Sequence, residues 1–172
     1  MAYLNINLRE IKEEDMETLG DLPALLSLEI WLEPNPKEQL TVQSMGFPCL
    51  KEFLLVCGDH DGGAYLTFGK GAMPKLEKLE IPFHVLMAKS HGFYFGINNL
   101  LRLKEVNVII YREGTVRSDT ESVVAAIKRE ASANPNHPRL AIFGADAEEV
   151  QEDNREESDY NWGSEDDGAT DT

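Results

Sequence analysis

Cysteine is scarce: Cys49 and Cys57 are the only two in 172 residues, which excludes a disulfide-stapled mini-protein. Long apolar runs are missing as well. No stretch approaches the roughly 18 residues that a membrane-spanning helix needs. The N-terminus lacks a signal-peptide pattern, because Glu10, Glu13, Glu14 and Asp15 fall where an apolar stretch should sit. No Asn-x-Ser/Thr acceptor occurs. Together these absences favour a reducing, cytoplasmic setting with free thiols. Positive charge is in short supply too, with 16 Lys and Arg against 31 Asp and Glu, a net of −15. That balance argues against a nucleic-acid partner, which calls for clustered Lys and Arg. It argues equally against adhesion to an anionic membrane.

The acid is unevenly placed. Residues 145–172 hold twelve acids and the single base Arg155, whereas residues 1–144 hold nineteen acids and fifteen bases, a net of −4. The division predicts a nearly neutral domain over 1–144 and an acidic tail over 145–172. The tail's composition cannot bury a core, so it reads as disordered.

What the domain does have is a repeat. LPALLSLEI from Leu22, FPCLKEFLL from Phe47, MPKLEKLEI from Met73 and LLRLKEVNV from Leu100 superpose, with starts 25, 26 and 27 residues apart. The fourth position is always Leu (Leu25, Leu50, Leu76, Leu103). The seventh holds Leu28, Phe53, Leu79 and Val106, and the ninth Ile30, Leu55, Ile81 and Val108. Pro23, Pro48 and Pro74 take the second position in three copies. Apolar pairs recur upstream as well: Leu40 and Val42, Leu66 and Phe68, Phe93 and Phe95. Leu4 and Ile6 stand 24 residues before Leu28 and Ile30, so a truncated copy opens the chain and the total is about five. Apolar residues at positions 1, 4, 7 and 9 with a period of roughly 20–29 residues match the leucine-rich repeat. Positions 7 and 9 alternate along a strand and point to one face, inward. Positions 1 and 4 lie on the approach turn and fill the same core. One copy cannot bury these residues alone; stacked neighbours can. The expected fold is therefore α/β: a leucine-rich-repeat solenoid with a parallel sheet on its concave face.

A regular repeat would place Asn three residues after position 9, where it satisfies backbone groups leaving the strand. Glu33, Gly58, His84 and Tyr111 stand there instead, which predicts irregular convex loops. Only the stretch before Leu22 looks helical, with Met16, Leu19 and Leu22 at three-residue spacing. The other connections carry Gly58, Gly62, Gly63, Gly69 and Gly71, or Pro34 and Pro36, and read as loops or short strands. After the fourth copy the period stops. Ser118 or Asp119 can cap a helix over 118–133, with Val123, Val124, Ile127 and Ala131 as its apolar stripe. Asn134, Pro135, Asn136 and Pro138 end it, and a short strand follows over 139–143. Helix and strand together read as the C-terminal cap that a solenoid's last edge needs.

The segments FPCLKEF from Phe47 and GAMPKLEKLE from Gly71 resemble the C-terminal leucine-rich repeats of grass disease-resistance proteins, the intracellular NLR immune receptors. The resemblance continues through FGINNL from Phe95, the helix bearing Val124 to Ile127, and NPNHP from Asn134. It implies the repeat region of a coiled-coil, nucleotide-binding, leucine-rich-repeat receptor, which recognises pathogen effectors and restrains the nucleotide switch. The coiled-coil and nucleotide-binding modules have no counterpart here. Gly69-Lys70-Gly71 is the nearest approach to a phosphate loop, and it lacks the first Gly and the Ser/Thr after Lys. No nucleotide or other cofactor is expected. The start at a strand favours a fragment of a longer receptor over a short repeat-only relative.

Catalytic chemistry finds little foothold. His60 between Asp59 and Asp61, near Cys57, is more simply a polar turn than a metal site. Cys49, beside Leu50, reads as a small core-lining residue rather than a nucleophile. His84, His91 and His137 have no paired nucleophile in a recognisable motif. A non-enzyme is expected. The open sheet face is the better candidate. Position 8 supplies Glu29, Leu54, Glu80 and Asn107, and position 10 supplies Trp31, Val56, Pro82 and Ile109 on the same side. That second lane is apolar for a solvent face. With Glu29, Lys51, Glu52, Lys78 and Lys104 around it, the face suits a protein partner, an effector or the receptor's own nucleotide-binding module. The rival readings are a repeat adaptor, for instance in ubiquitin-ligase substrate recruitment, and a truncated fragment without function.

Overall fold

The computed structural model describes residues 2–33, 40–43, 46–57, 66–90, 92–112 and 114–144. The expected acidic tail lies outside them, as does the His60 turn. Six strands form one parallel sheet in the order β1 (Ala2–Leu8), β2 (Leu25–Leu32), β4 (Glu52–Cys57), β6 (Lys78–His84), β7 (Glu105–Tyr111) and β8 (Arg139–Gly144). Two three-residue strands, β3 (Leu40–Val42) and β5 (Leu66–Phe68), pair in parallel as a second sheet. The helices are α1 (Glu13–Gly20), α2 (Val85–Ser90) and α3 (Arg117–Ala133), and a 3-10 turn spans Ile97–Asn99. The architecture is an α/β repeat.

Register follows the apolar pattern. Leu28 pairs with Phe53, Phe53 with Leu79, and Leu79 with Val106, so position 7 forms one continuous row. Every residue at positions 7 and 9 of the four copies is buried. Leu4 and Ile6 of β1 fall opposite Leu28 and Ile30 and are half-buried. A slip of one residue would turn each row out to solvent, so burial itself fixes the pairing.

The copies are also tied at the turn before each strand. Lys51 N–H donates to Leu26 O (2.8 Å), Glu77 and Lys78 N–H to Lys51 O (2.8 and 3.0 Å), and Lys104 N–H to Glu77 O (2.8 Å). One turn earlier, Phe47 N–H donates to Gly20 O and Met73 N–H to Gly46 O. Phe47 and Met73 adopt left-handed backbone, with φ of 58° and 43°, uncommon for bulky side chains. Both residues precede a proline, and both side chains are buried.

Three expectations are corrected. Leu22, assigned to the core as position 1, is 41% exposed. Its N–H bonds to Leu19 O in the closing turn of α1, which directs it outward, while Met16 and Ile11 fill the core there. Ser118 and Asp119 do not cap α3. The N-cap is Val116, without a side-chain bond, and Asp119 in the first turn pairs with Lys89 of α2 at 3.1 Å. The stretch after β6 is helical, not a loop or strand. Buried His84, standing where Asn was expected, accepts the Leu86 N–H on Nδ1 (3.1 Å) and so satisfies a donor at the start of α2.

Beyond the fourth copy, α3 and the turn that follows it add side chains to the backbone that β8 offers. The buried Glu130 carboxylate accepts Phe95 N–H (2.9 Å) and Ile97 N–H (3.1 Å). Fully buried Asn134 donates to Ile97 O (2.9 Å) and Leu100 O (2.8 Å), and Asn136 donates to Leu103 O (2.7 Å). Burial pushes the Glu130 carboxyl above the ordinary Glu value, against the amides of Phe95, Ile97 and Gly96 and the charge of Arg129, which pull it down.

Two predictions follow from these contacts. Gly96 has φ +82°, and a Cβ there would lie 2.2 Å from Phe68 O; Gly92, at φ +69°, has nothing within 4 Å. Gly92→Ala should cost roughly 1–2 kcal/mol for left-handed backbone alone. Gly96→Ala should add roughly 1–3 kcal/mol of overpacking. Equal denaturation midpoints for the two variants would remove the close approach from the account. For Glu130, a raised folded-state pKa means the protonated carboxyl favours the fold. That contribution is complete below the unfolded value and is lost as pH rises through the raised folded one. Stability of wild type relative to Glu130→Gln should therefore decline over that window, and a flat difference in urea melts across pH would refute it.

Candidate functional site

Alternation sends positions 6, 8 and 10 to the face opposite the core, and the pairing arranges them in three rows. The row at the strand starts is polar and charged: Tyr3, Ser27, Glu52, Lys78, Glu105 and Arg139. Arg139 lies 3.6 Å from Glu105, and Lys104 just before β7 lies 3.2 Å from Glu77. A shallow groove of about 450 Å³ runs along this edge past Lys51, Lys78 and Lys104.

The middle row joins Asn5, Glu29, Leu54, Glu80, Asn107 and Ala141. Glu29, Leu54, Glu80 and Asn107, all expected on the open face, are neighbours in this row and are half-buried. The third row lies toward the strand ends. Trp31 stands beside Val56, and Pro82 beside Ile109. Trp31 is 42% exposed, and Val56 and Ile109 are half-buried.

Pro82 departs from expectation, being buried rather than solvent-facing. The β4–β6 ladder ends at Leu54 and Glu80, two residues short of it. Proline has no N–H to continue a ladder. The apolar lane is therefore interrupted at its middle.

Sequence reasoning missed two members of this face. Phe143 of β8 pairs with Ile109, extends the apolar row and is 54% exposed. The helix inserted between β7 and β8 breaks the repeat spacing that would have aligned it. Tyr3, 57% exposed on β1, donates its hydroxyl to Glu29 Oε2 at 2.6 Å. Trp31 Nε1 donates to the other oxygen, Glu29 Oε1. Period-two counting back from Leu4 would have placed Tyr3 on this face.

The carboxylate of Glu29 thus ties two exposed aromatics together. The Tyr3 hydroxyl first and the Trp31 indole second hold Glu29 below the ordinary Glu value. The same bond to Glu29 raises the Tyr3 phenol. Because both bonds favour the ionised carboxylate, the triad is intact at neutral pH and loosens as pH falls through the lowered Glu29 pKa.

Among the described residues, no cluster of three His, Cys, Asp or Glu side chains is placed to hold a metal, and no helix is long and apolar enough to cross a membrane. Cys49 is half-buried with a free thiol.

Comparison with known proteins follows the same outline. A family model for a leucine-rich repeat region matches residues 1–140. The disease resistance protein RGA5 of rice (Oryza sativa subsp. japonica) is 27% identical over 144 residues, which is 83% of this chain and 12% of RGA5. The rice disease resistance protein Pik-1 is 27% identical over 169 residues, 95% of this chain and 14% of Pik-1. The rice disease resistance protein Pikm1-TS matches to the same extent. The chain thus spans one-seventh or less of the length of these relatives. No solved structure gives a significant match.

Tyr3→Phe should raise the Glu29 pKa toward the ordinary carboxylate range by removing its strongest hydrogen bond. Carboxyl-carbon NMR titration of wild type and variant reads this directly, and identical Glu29 midpoints would dissolve the triad.

Proposed function

Because the chain belongs to the leucine-rich repeat region family, we propose that it is the protein-binding repeat module of a plant intracellular immune receptor. In this reading residues 1–144 are one domain, a solenoid whose open sheet face is concave and whose last copy is closed by α3. It binds rather than catalyses. Its partner is a protein, either a pathogen effector or the receptor's own nucleotide-binding module, and engagement with the latter restrains the receptor until the former arrives. Such a role places it in the cytoplasm. The charge balance disfavours nucleic acid and anionic membrane.

The observation that carries the reading is the broken apolar row on a polar sheet face. Trp31 and Phe143 expose large aromatic surfaces at its two ends, with Val56 and Ile109 between them. Exposed aromatics set among polar residues are the usual anchors of protein interfaces. Glu29, Leu54, Glu80 and Asn107 line the row on one side, and Pro82 forms part of its floor. Similarity to rice disease resistance proteins supports the immune setting. A repeat adaptor for another process would use the same face, so the partner distinguishes the two.

Trp31→Ala should change stability by only about 0.5 kcal/mol, as exposed substitutions usually do. It should nonetheless weaken partner binding by roughly 2 kcal/mol if Trp31 is an anchor, and Phe143→Ala should act in the same direction. Pull-down against the nucleotide-binding module of a matching receptor, supplied in trans, tests this beside thermal melts. A folded Trp31→Ala that binds as well as wild type would move the binding surface elsewhere.

A further inference from the structure

The inward rows are not equally covered at the last strand. Val106 and Val108 of β7 are fully buried, but Leu140 and Ile142, which pair with them on β8, are only half-buried. A cleft of about 280 Å³ opens there between sheet and helix, walled by Ile110, Val124, Leu140 and Ile142. Arg112 and Lys128 stand on its rim and Gly144 at its lip. Its walls are thus apolar and its rim cationic. It lies on the opposite side of the sheet from Trp31 and Phe143, so it is independent of the face assigned to partner binding.

We propose that the chain's own segment around Tyr160–Trp162 seats in this cleft, with an aromatic ring against Val124, Leu140 and Ile142 and the flanking carboxylates toward Arg112 and Lys128. Three observations select this occupant. The chain leaves β8 at Gly144, on the lip itself, and continues for 28 residues. Trp162 lies eighteen residues further on, within a tether that keeps its effective concentration near the millimolar range. Tyr160 and Trp162 are the only aromatics of residues 145–172, and Asp159, Glu165, Asp166 and Asp167 flank them. An acidic sequence carrying an aromatic pair is the complement of an apolar cleft with a cationic rim. The same docking would cover the edge of β8, the last strand of the sheet, which sheets tend to protect.

The test uses the full chain. Trp31→Phe leaves Trp162 as the single indole, so its fluorescence reports on the segment alone. Docking predicts blue-shifted emission and several-fold weaker quenching by iodide than a free tryptophan peptide shows. Adding Lys128→Glu or Val124→Asn should shift emission to the red and restore quenching, with the far-ultraviolet circular dichroism unchanged. Should Val124→Asn unfold the protein, Lys128→Glu, on the exposed side of α3, decides alone. Emission of a fully solvated indole in Trp31→Phe overturns the proposal. Protection that Lys128→Glu leaves untouched places Trp162 elsewhere and overturns it too. Protection that grows with protein concentration assigns the cleft to a second copy's segment and overturns the intramolecular form.

Discussion

The structure depends on a hydrogen bond handed from each copy to the next. The carbonyls of Leu26, Lys51 and Glu77 each receive an amide from the following copy, and that of Lys104 receives one from Arg139 of β8. A parallel stack built this way satisfies its interior but never its own ends, and buried peptide groups left alone are costly. The C-terminal solution is to replace backbone with side chains. Glu130 accepts where a carbonyl would, while Asn134 and Asn136 donate where amides would. A carboxylate is a strong acceptor for several amides at once, and its burial is what drives its proton affinity up.

The same ladder separates fold from function. With register fixed, strand alternation assigns positions 7 and 9 to the core and positions 6, 8 and 10 to the other face. The two sets share a backbone but few contacts, so the open face can change its chemistry without disturbing Leu28, Phe53, Leu79 and Val106. Its rows show such freedom: charges at the strand starts, mixed residues in the middle, apolar residues toward the ends. The Tyr3–Glu29–Trp31 triad reaches across two strands on this face, orienting an exposed indole at little entropic cost on binding.

The rows were legible in the sequence because they rest on a period of two inside a period near 26, and burial enforces both. The α3 helix and β8 were legible from apolar stripe and turn residues, within a residue of the observed Arg117–Ala133 and Arg139–Gly144. What escaped depends on three-dimensional contact. Helix α2 has six residues, too few for a periodic signal, and starts from a bond to His84. Glu130 and Asn134 look like an exposed acid and a helix terminator until the Phe95–Leu100 backbone lies beneath them. Phe143 and Pro82 belong to the candidate site's third row, and neither could be placed by counting. One follows an inserted helix; the other is buried at a point where the ladder on the β4 side has already stopped.

That interruption bears on what kind of ligand the face suits. Trp31 on β2 and Phe143 on β8 are separated by four inter-strand steps through β4, β6 and β7. At about 4.8 Å each, the two aromatics stand roughly 19 Å apart. Between them Pro82 is buried and leaves a break in the apolar row. A small molecule engages convergent groups in a concavity, whereas these two rings stand on strands four steps apart. A surface that meets both rings must extend over at least that distance, comparable to about thirteen residues of α-helix at 1.5 Å each. A protein element has that reach, so the role proposed for these two rings fits a protein partner better than a small molecule.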